Sequence, residues 1–276
     1  MTQPELSTAN RSEYVDLQIG DHWVRTKTST VQLQEFCTRF KSEQPVDLTH
    51  LEKDSRPVDQ DPDILIVNDQ QGLELAWLTA GGKPLLFRIE VEKLLARQYS
   101  FPAAKQGPLN QALGKRSKKI LDVTAGWGGD ALLMCTQGYQ LTLIERNPVM
   151  SLLLKDAMAR LVSSTWAVDN QVAAPEVHEG NALEFLRSMR ELPDCIYLDP
   201  MFPPKRKKSA AANKHMQFLQ WLVGADIDAS ELCQAAIDSG VARVVVKRPE
   251  YANPLVEPPS QVFSGKLVHY DVYLRS

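Results

Sequence analysis

Along residues 119–249, short apolar runs of strand length alternate with segments whose apolar residues recur at helical spacing. KILDVTA (119–125) reads as a buried strand, GWGGD (126–130) as a glycine-rich turn, ALLMCTQG (131–138) as a helix closed by glycine, and QLTLIER (140–146) as a second strand. Asn147-Pro148 then supplies an N-cap and a first-turn proline. Val149, Leu152, Leu153, Ala157 and Leu161 space the apolar face of the helix that follows. The alternation continues through a strand near 176–178, a helix at 181–189, the strand DCIYLDP, a basic loop and a helical region at about 213–223. A helix at 231–240, the strand VARVVVKRP and a strand pair around 261–274 complete it. Strands and helices in this rhythm predict an α/β fold built on a mostly parallel sheet covered on both faces.

The first third of the chain has a different texture. Residues 1–60 are polar and irregular, with one short helix expected around 31–40, and no function is assigned to them. From residue 63, ILIV, LELAWL and LLFRI are separated by NDQQG and GGKP, the pattern of a small antiparallel meander. Residues 1–95 are therefore expected to form a small N-terminal α+β subdomain, 96–118 a linker containing the short helix LNQALG, and 119–276 the main domain.

Composition narrows the class. With 43% hydrophobic and 24% charged residues among 276, the chain resembles an ordinary globular protein and neither collagen nor a disordered tract. Cys37, Cys135, Cys195 and Cys233 are far apart and form no CxxC or Cys/His cluster, so neither a metal site nor a disulfide framework is expected. The first residues lack a basic stretch followed by an apolar core, and no apolar run approaches the roughly 18 residues of a membrane span, so a cytoplasmic protein is expected. The net charge of −3 is uneven: residues 1–100 hold 11 Lys and Arg against 16 Asp and Glu, the remainder 20 against 18. An anionic partner is expected to meet the second part.

In parallel α/β sheets ligands bind beyond the carboxyl ends of the strands, so residues just after each strand are the informative ones. After the first come Asp122, Gly126, Gly128, Gly129 and Asp130, where glycines let backbone approach a ligand at a helix start. Asp130 stands where a pyrophosphate would need positive surroundings, which favours a cofactor with a cationic amino-acid portion over a dinucleotide. After the second comes Glu145, 19 residues beyond Gly126, able to accept both hydroxyl protons of a ribose or to pair with Arg146. After the third comes Gly180-Asn181, placed to cap the next helix or to meet an adenine edge. After the fourth comes Asp199-Pro200-Met201-Phe202-Pro203. The Asp199 carboxylate and the Pro200 carbonyl can accept both protons of an exocyclic amine while Phe202 stacks on the base. Accepting those protons turns a delocalised lone pair toward an electrophilic methyl group.

DVTAGWGGDA, LIERNP, YLDPMFPPKRKKS and VVVKRPEYANPL resemble the motifs of the bacterial ribosomal RNA small subunit methyltransferase J family, closely over 118–256 and loosely over 60–117. The resemblance implies a class I S-adenosylmethionine-dependent methyltransferase, Rossmann-like, with a small N-terminal extension. It also implies S-adenosylmethionine as cofactor and the 2-amino group of a guanine in 16S rRNA, as RNA or 30S particle, as substrate. Cofactor-binding positions carried over by motif are Gly129, Asp130, Glu145, Arg146, Gly180, Asn181 and Asp199. The chain departs from the family pattern at Gly129, where relatives commonly carry Arg, at Gly180-Asn181, often Ser-Ser, and in 96–114, where an Arg/Gly-rich segment is usual. Contacts through main-chain groups survive such changes.

Lys205, Arg206, Lys207 and Lys208, together with Lys247 and Arg248, cluster at strand carboxyl ends and are expected to bind phosphates. The target base would be flipped from its stack or already unpaired. Three other readings stand beside this one. They are methylation of adenine or cytosine amines, an NAD-dependent oxidoreductase supported by the glycine turn and Glu145, and a non-catalytic RNA-binding assembly factor.

Overall fold

The second half of the chain folds so that its apolar runs become neighbouring strands. In this computed structural model the described residues are 15–19, 22–26, 64–69, 71–77, 85–100, 107–203, 218, 222–223 and 226–275. They belong to two compact units, Met1–Arg88 and Ile89–Ser276.

The first unit carries a five-stranded sheet of β1 (Val15–Ile19), β2 (His22–Thr26), β3 (Ile64–Asp69), β4 (Gly72–Trp77) and β5 (Leu85–Phe87), in that order. β3, β4 and β5 form the expected antiparallel meander. β1 and β2 fall in the stretch read as irregular and pair with each other antiparallel. VDLQI alternates apolar and polar residues before Gly20-Asp21, a two-residue hairpin signal, but HWVRT after it does not, and the polar surroundings obscure the pattern. The helix expected at 31–40 lies outside the described residues.

The second unit opens with α1 (Val91–Ser100) and α2 (Pro108–Leu113). α2 covers the short helix expected in the segment 96–118, and the second unit begins at Ile89. The elements that follow are β6 (Lys119–Asp122), α3 (Gly129–Thr136), β7 (Gln140–Glu145), α4 (Pro148–Ser163), α5 (Thr165–Asp169), β8 (Glu176–Glu179) and α6 (Ala182–Ser188). β9 (Cys195–Leu198), α7 (Ala229–Asp238), β10 (Arg243–Pro249), β11 (Gln261–Ser264) and β12 (Val268–Leu274) complete the unit. The seven strands lie in the order β11-β12-β10-β9-β6-β7-β8, with β10, β9, β6, β7 and β8 parallel and β12 antiparallel to both its neighbours.

Burial explains the strand sequences. CIYL of β9 is buried at every position because a central parallel strand is covered on both faces. The edge strand β8 (EVHE) is polar and largely exposed, as an unpaired edge must be to resist association. Leu183 and Leu186 of α6 and Leu232, Cys233 and Ala236 of α7 pack with Leu121, Ile144, Ile196, Val244 and Val246 from the sheet. α3 and α4 lie against β7. Asn147 caps α4 as expected, its Oδ1 accepting from the Val149 and Met150 amides at 3.0 and 3.1 Å. Such a cap stabilises a helix by about 1 kcal/mol.

The topology decides where a ligand can sit. From β6 the chain winds outward through β7 to β8, then returns across β6 to begin β9 on its other side. Connections leave the sheet in opposite directions at the carboxyl ends of β6 and β9, and a crevice opens there.

Candidate active site

The crevice is a cavity of about 500 Å³, within the range of small-ligand sites. Its walls include Asp122, Gly126, Gly128, Gly129, Asp130, Glu145, Arg146, Gly180, Asn181, Asp199, Pro200 and Phe202. The candidate residues after all four strands therefore meet in one space. Lys205, Arg206, Lys207 and Lys208 lie outside the described residues.

The floor is made by the glycine turn. Gly128 is the N-cap of α3 with φ +72°, and a Cβ placed on it would stand 2.5 Å from Leu154 Cδ1. Both the left-handed backbone and the packed Leu154 methyl demand glycine there. A Cβ on Gly129 meets nothing within 4 Å, so a longer side chain fits at that position without disturbing the turn.

Glu145 is 4% exposed and held from two sides. Its Oε2 accepts from the Gly126 amide at 2.8 Å and its Oε1 from the Asn147 amide at 2.7 Å. A carboxylate offers about four lone-pair sites, so each oxygen keeps one for a ribose hydroxyl. Burial raises the Glu145 pKa, opposed by the two amides and by Arg146. The guanidinium of Arg146 hydrogen-bonds to Asp226 and, at 3.2 Å, to Asp228 rather than to Glu145. Asn181 caps α6 through Oδ1, accepting from the Leu183 amide at 2.8 Å, and also faces the cavity. Capping and ligand contact are compatible.

The acceptor loop is fixed by its neighbours. The Asp199 amide donates to Thr124 Oγ1 at 2.6 Å, the Met201 amide to Asp226 Oδ2 at 2.6 Å, and the Tyr251 hydroxyl to the Pro203 carbonyl at 3.0 Å. The Asp199 side chain is 39% exposed into the cavity, yet protein encloses the recess around it. Desolvation pushes its carboxyl up to about 6, with Lys247 opposing and Asp130 adding to the rise. Asp122, at the end of β6, is pushed up to about 8 by burial, with Thr124 opposing through its amide and the charges of Asp130, Asp199 and Glu145 adding.

Lys247 and Arg248, expected to bind phosphates, both stand in ion pairs with carboxylates. Lys247 Nζ donates to Asp130 Oδ2 at 2.7 Å and to Asp199 Oδ2 at 2.8 Å. Arg248 is 7% exposed and its Nε donates to the buried Asp271 at 2.5 Å. Alternate residues of a strand point to opposite faces, and here neighbouring carboxylates claim both cations. Lys115, Arg116, Lys118 and Lys119 lie before or at the amino end of β6, opposite the crevice; the Lys118 and Lys119 amides donate to Asp194. Sequence reading overlooked Tyr197, whose hydroxyl donates to Asp130 at 2.5 Å, and Asp226, which joins Arg146 to the acceptor loop. Tyr197 was hidden in an apolar run; Asp226 lacked any motif.

The donor set suits a ligand with a ribose and a cationic end. Asp130, Glu145, Asp199 and Asp226 line the cavity, an environment that repels a pyrophosphate and attracts an ammonium or sulfonium, while Asp122, pushed up to about 8, stands among them as a protonated carboxyl near neutral pH. Glycine turn, strand-end acid, switch-point crevice and sheet order together define a class I methyltransferase that uses S-adenosylmethionine. A family model described as "Putative SAM-dependent methyltransferase" matches residues 50–275. Ribosomal RNA small subunit methyltransferase J of Legionella pneumophila (strain Corby) is 42% identical over 172 residues, 62% of this chain and 68% of that one. The protein of the same name from Coxiella burnetii is 40% identical over 183 residues, 65% and 70% of the two chains. The chain belongs to the ribosomal RNA small subunit methyltransferase J family. A solved SAM-dependent methyltransferase from Neisseria gonorrhoeae, NGO1261, superposes with a TM-score of 0.59 at 25% identity, covering 79% of this chain and 86% of that one.

No helix among the described residues is long and apolar enough to cross a membrane, and none of their acidic, histidine or cysteine side chains form a group of three or more suited to a metal. Cys135, Cys195 and Cys233 are buried free thiols, each pushed up to about 12 by burial, which makes them poor nucleophiles.

Proposed function

We propose that this protein methylates the exocyclic 2-amino group of a guanine in small-subunit ribosomal RNA, in the cytoplasm, acting on RNA or on the 30S particle. The observation that carries the reading is that Asp199, Pro200 and Phe202 line the same cavity as Glu145, so an acceptor base and a ribose-bearing cofactor can share it. S-adenosylmethionine, when bound, supplies an electrophilic methyl group on a sulfonium. Glu145 holds the ribose, the Gly126–Asp130 turn the amino-acid end, and Gly180-Asn181 the adenine side. Asp199 and the Pro200 carbonyl accept the amine protons and Phe202 stacks on the base, so that the nitrogen lone pair points at the methyl carbon. With the cofactor bound, Asp130 would hold its cationic end; the amine nitrogen would take the methyl as the methyl–sulfur bond breaks, with the surplus proton lost to Asp199 or water, and orientation of this kind is worth orders of magnitude in rate. Lys205–Lys208 supply phosphate contacts whose strength falls as salt rises. The catalytic work is assigned to residues 119–276, joined through 96–118 to residues 1–95, which carry no assigned step.

The test uses small subunits from a strain lacking the gene, incubated with labelled S-adenosylmethionine. The wild-type chain should yield N2-methylguanosine in the digested rRNA, and Asp199→Ala should yield none. A methylated adenosine or cytidine would move the substrate to another base. Normal methylation by Asp199→Ala would remove the acceptor role of that carboxylate, and a dead variant that restores the deletion phenotype fully would favour an assembly role.

A further inference from the structure

Lys247 stands in β10, beside the strand that leads into the acceptor loop, with its side chain 21% exposed. Its ammonium spans two carboxylates, Asp130 in the first turn of α3 and Asp199 in the acceptor loop, at 2.7 and 2.8 Å. Asp130 Oδ2 is shared with the Tyr197 hydroxyl at 2.5 Å. One cation thus ties the cofactor turn to the group that meets the acceptor base. The bridge engages Oδ2 of Asp199 and leaves Oδ1 for an amine proton.

The surrounding charges make this bridge consequential. Asp130 and Asp226 crowd the Asp199 carboxyl with negative charge. Among the described residues, the other cations of the cavity wall have partners of their own: Arg146 has Asp226 and Asp228, and Arg248 has Asp271. Tyr197 and Tyr270, the nearby phenols, are held neutral, since burial and then the charge of Asp130 raise both. Burial by itself would lower the Lys247 pKa, but Asp199 and Asp130 outweigh it and raise it, so the ammonium stays charged.

We propose that Lys247 is a positioning residue that keeps Asp199 ionised and turned into the cavity as hydrogen-bond acceptor for the target amine. The proposal rests on Asp199 being that acceptor. A protonated Asp199 would present an O–H where an acceptor is needed, and without the ammonium two adjacent carboxylates would favour that protonated form.

Lys247→Met and Lys247→Gln remove the charge, and Lys247→Arg keeps it. Two readouts separate positioning from mere packing: the 13C-carboxyl NMR titration of Asp199 in cofactor-free protein, and the pH profile of kcat/KM on small subunits. The neutral variants should raise the Asp199 midpoint and the acid limb together by about one to two pH units, with activity recovering toward alkaline pH. Lys247→Arg should leave both close to wild type. An Asp199 midpoint and acid limb unchanged in a folded neutral variant overturn the proposal, as does a shift in Lys247→Arg as large as in the neutral pair. If neither neutral variant folds, a rise of about one pH unit or more in the Asp199 midpoint of Lys247→Arg overturns the proposal, and a midpoint close to wild type supports it. Full transfer by Asp199→Ala would instead remove the underlying acceptor reading, whereas an inactive Asp199→Ala with an unmoved acid limb in Lys247→Met removes only the role of Lys247.

Discussion

Replacing Glu145 by Gln tests the cofactor half of the site with a change of one atom. In the folded chain the two carboxylate oxygens accept amide protons from Gly126 and Asn147 at 2.8 and 2.7 Å, leaving one lone pair on each for a ribose hydroxyl. Gln presents an NH2 in place of one oxygen, and that group cannot accept from an amide or from a hydroxyl. Hydrogen bonds to charged groups contribute about 1.5–3 kcal/mol and neutral ones about 0.5–1.5 kcal/mol. Losing one hydroxyl bond outright and weakening the other therefore costs about 2–4 kcal/mol of binding. At 1.4 kcal/mol per factor of ten, S-adenosylhomocysteine should bind about thirtyfold to several hundredfold more weakly, read by calorimetric titration. Folding should change less. The orphaned amide destabilises the variant, but removal of a carboxylate whose pKa burial has raised offsets that loss. Affinity within threefold of wild type, with an unchanged urea midpoint, would refute Glu145 as the ribose acceptor.

Two further predictions concern the crevice floor. Gly128→Ala forces an L-residue to φ +72° and sets a Cβ 2.5 Å from the buried Leu154, so the left-handed backbone (about 1–2 kcal/mol) and overpacking (about 1–3 kcal/mol) should lower stability by about 2–5 kcal/mol. A loss below about 1 kcal/mol by urea unfolding would contradict that geometry. Asp122 has its folded pKa raised from 3.8 to about 8, so between these values the folded chain holds a proton that the unfolded chain has released. Stability should accordingly fall as pH rises through that window, and Asp122→Asn should flatten the fall by up to about 1.4 kcal/mol per pH unit. Equal slopes in both proteins between pH 5 and 8 would sink that assignment; the raised carboxyls of Glu145 and Asp199 leave some slope in either case.

Much of the second unit was legible because local chemistry specifies it. Asn147-Pro148 ahead of a run with apolar residues at helical spacing marks a helix start, and CIYL between polar flanks reads as a buried strand without knowledge of its neighbours. β1 and β2 were missed because a hairpin in a polar stretch gives a weak apolar signal, and its pairing with β3, some forty residues on, has no local mark. Leu152 was expected on the buried face of α4 and is only partly buried, while Asp156 is buried there because Arg160 pairs with it at 2.9 Å. Periodicity sees hydrophobicity and cannot see such a partner.

The sequence alone determined which residue types stand after each strand, and since parallel strands share a carboxyl end, it also determined that Asp122, Glu145, Asn181 and Asp199 face one space. It could not assign partners to charges. Lys247 and Arg248 are adjacent in a basic run and read as one phosphate-binding pair. The fold places Asp130, 117 residues from Lys247, and Asp271, 23 residues from Arg248, within hydrogen-bond reach. An ion pair is decided by distance and exclusion of water, and both exist only after the sheet has closed.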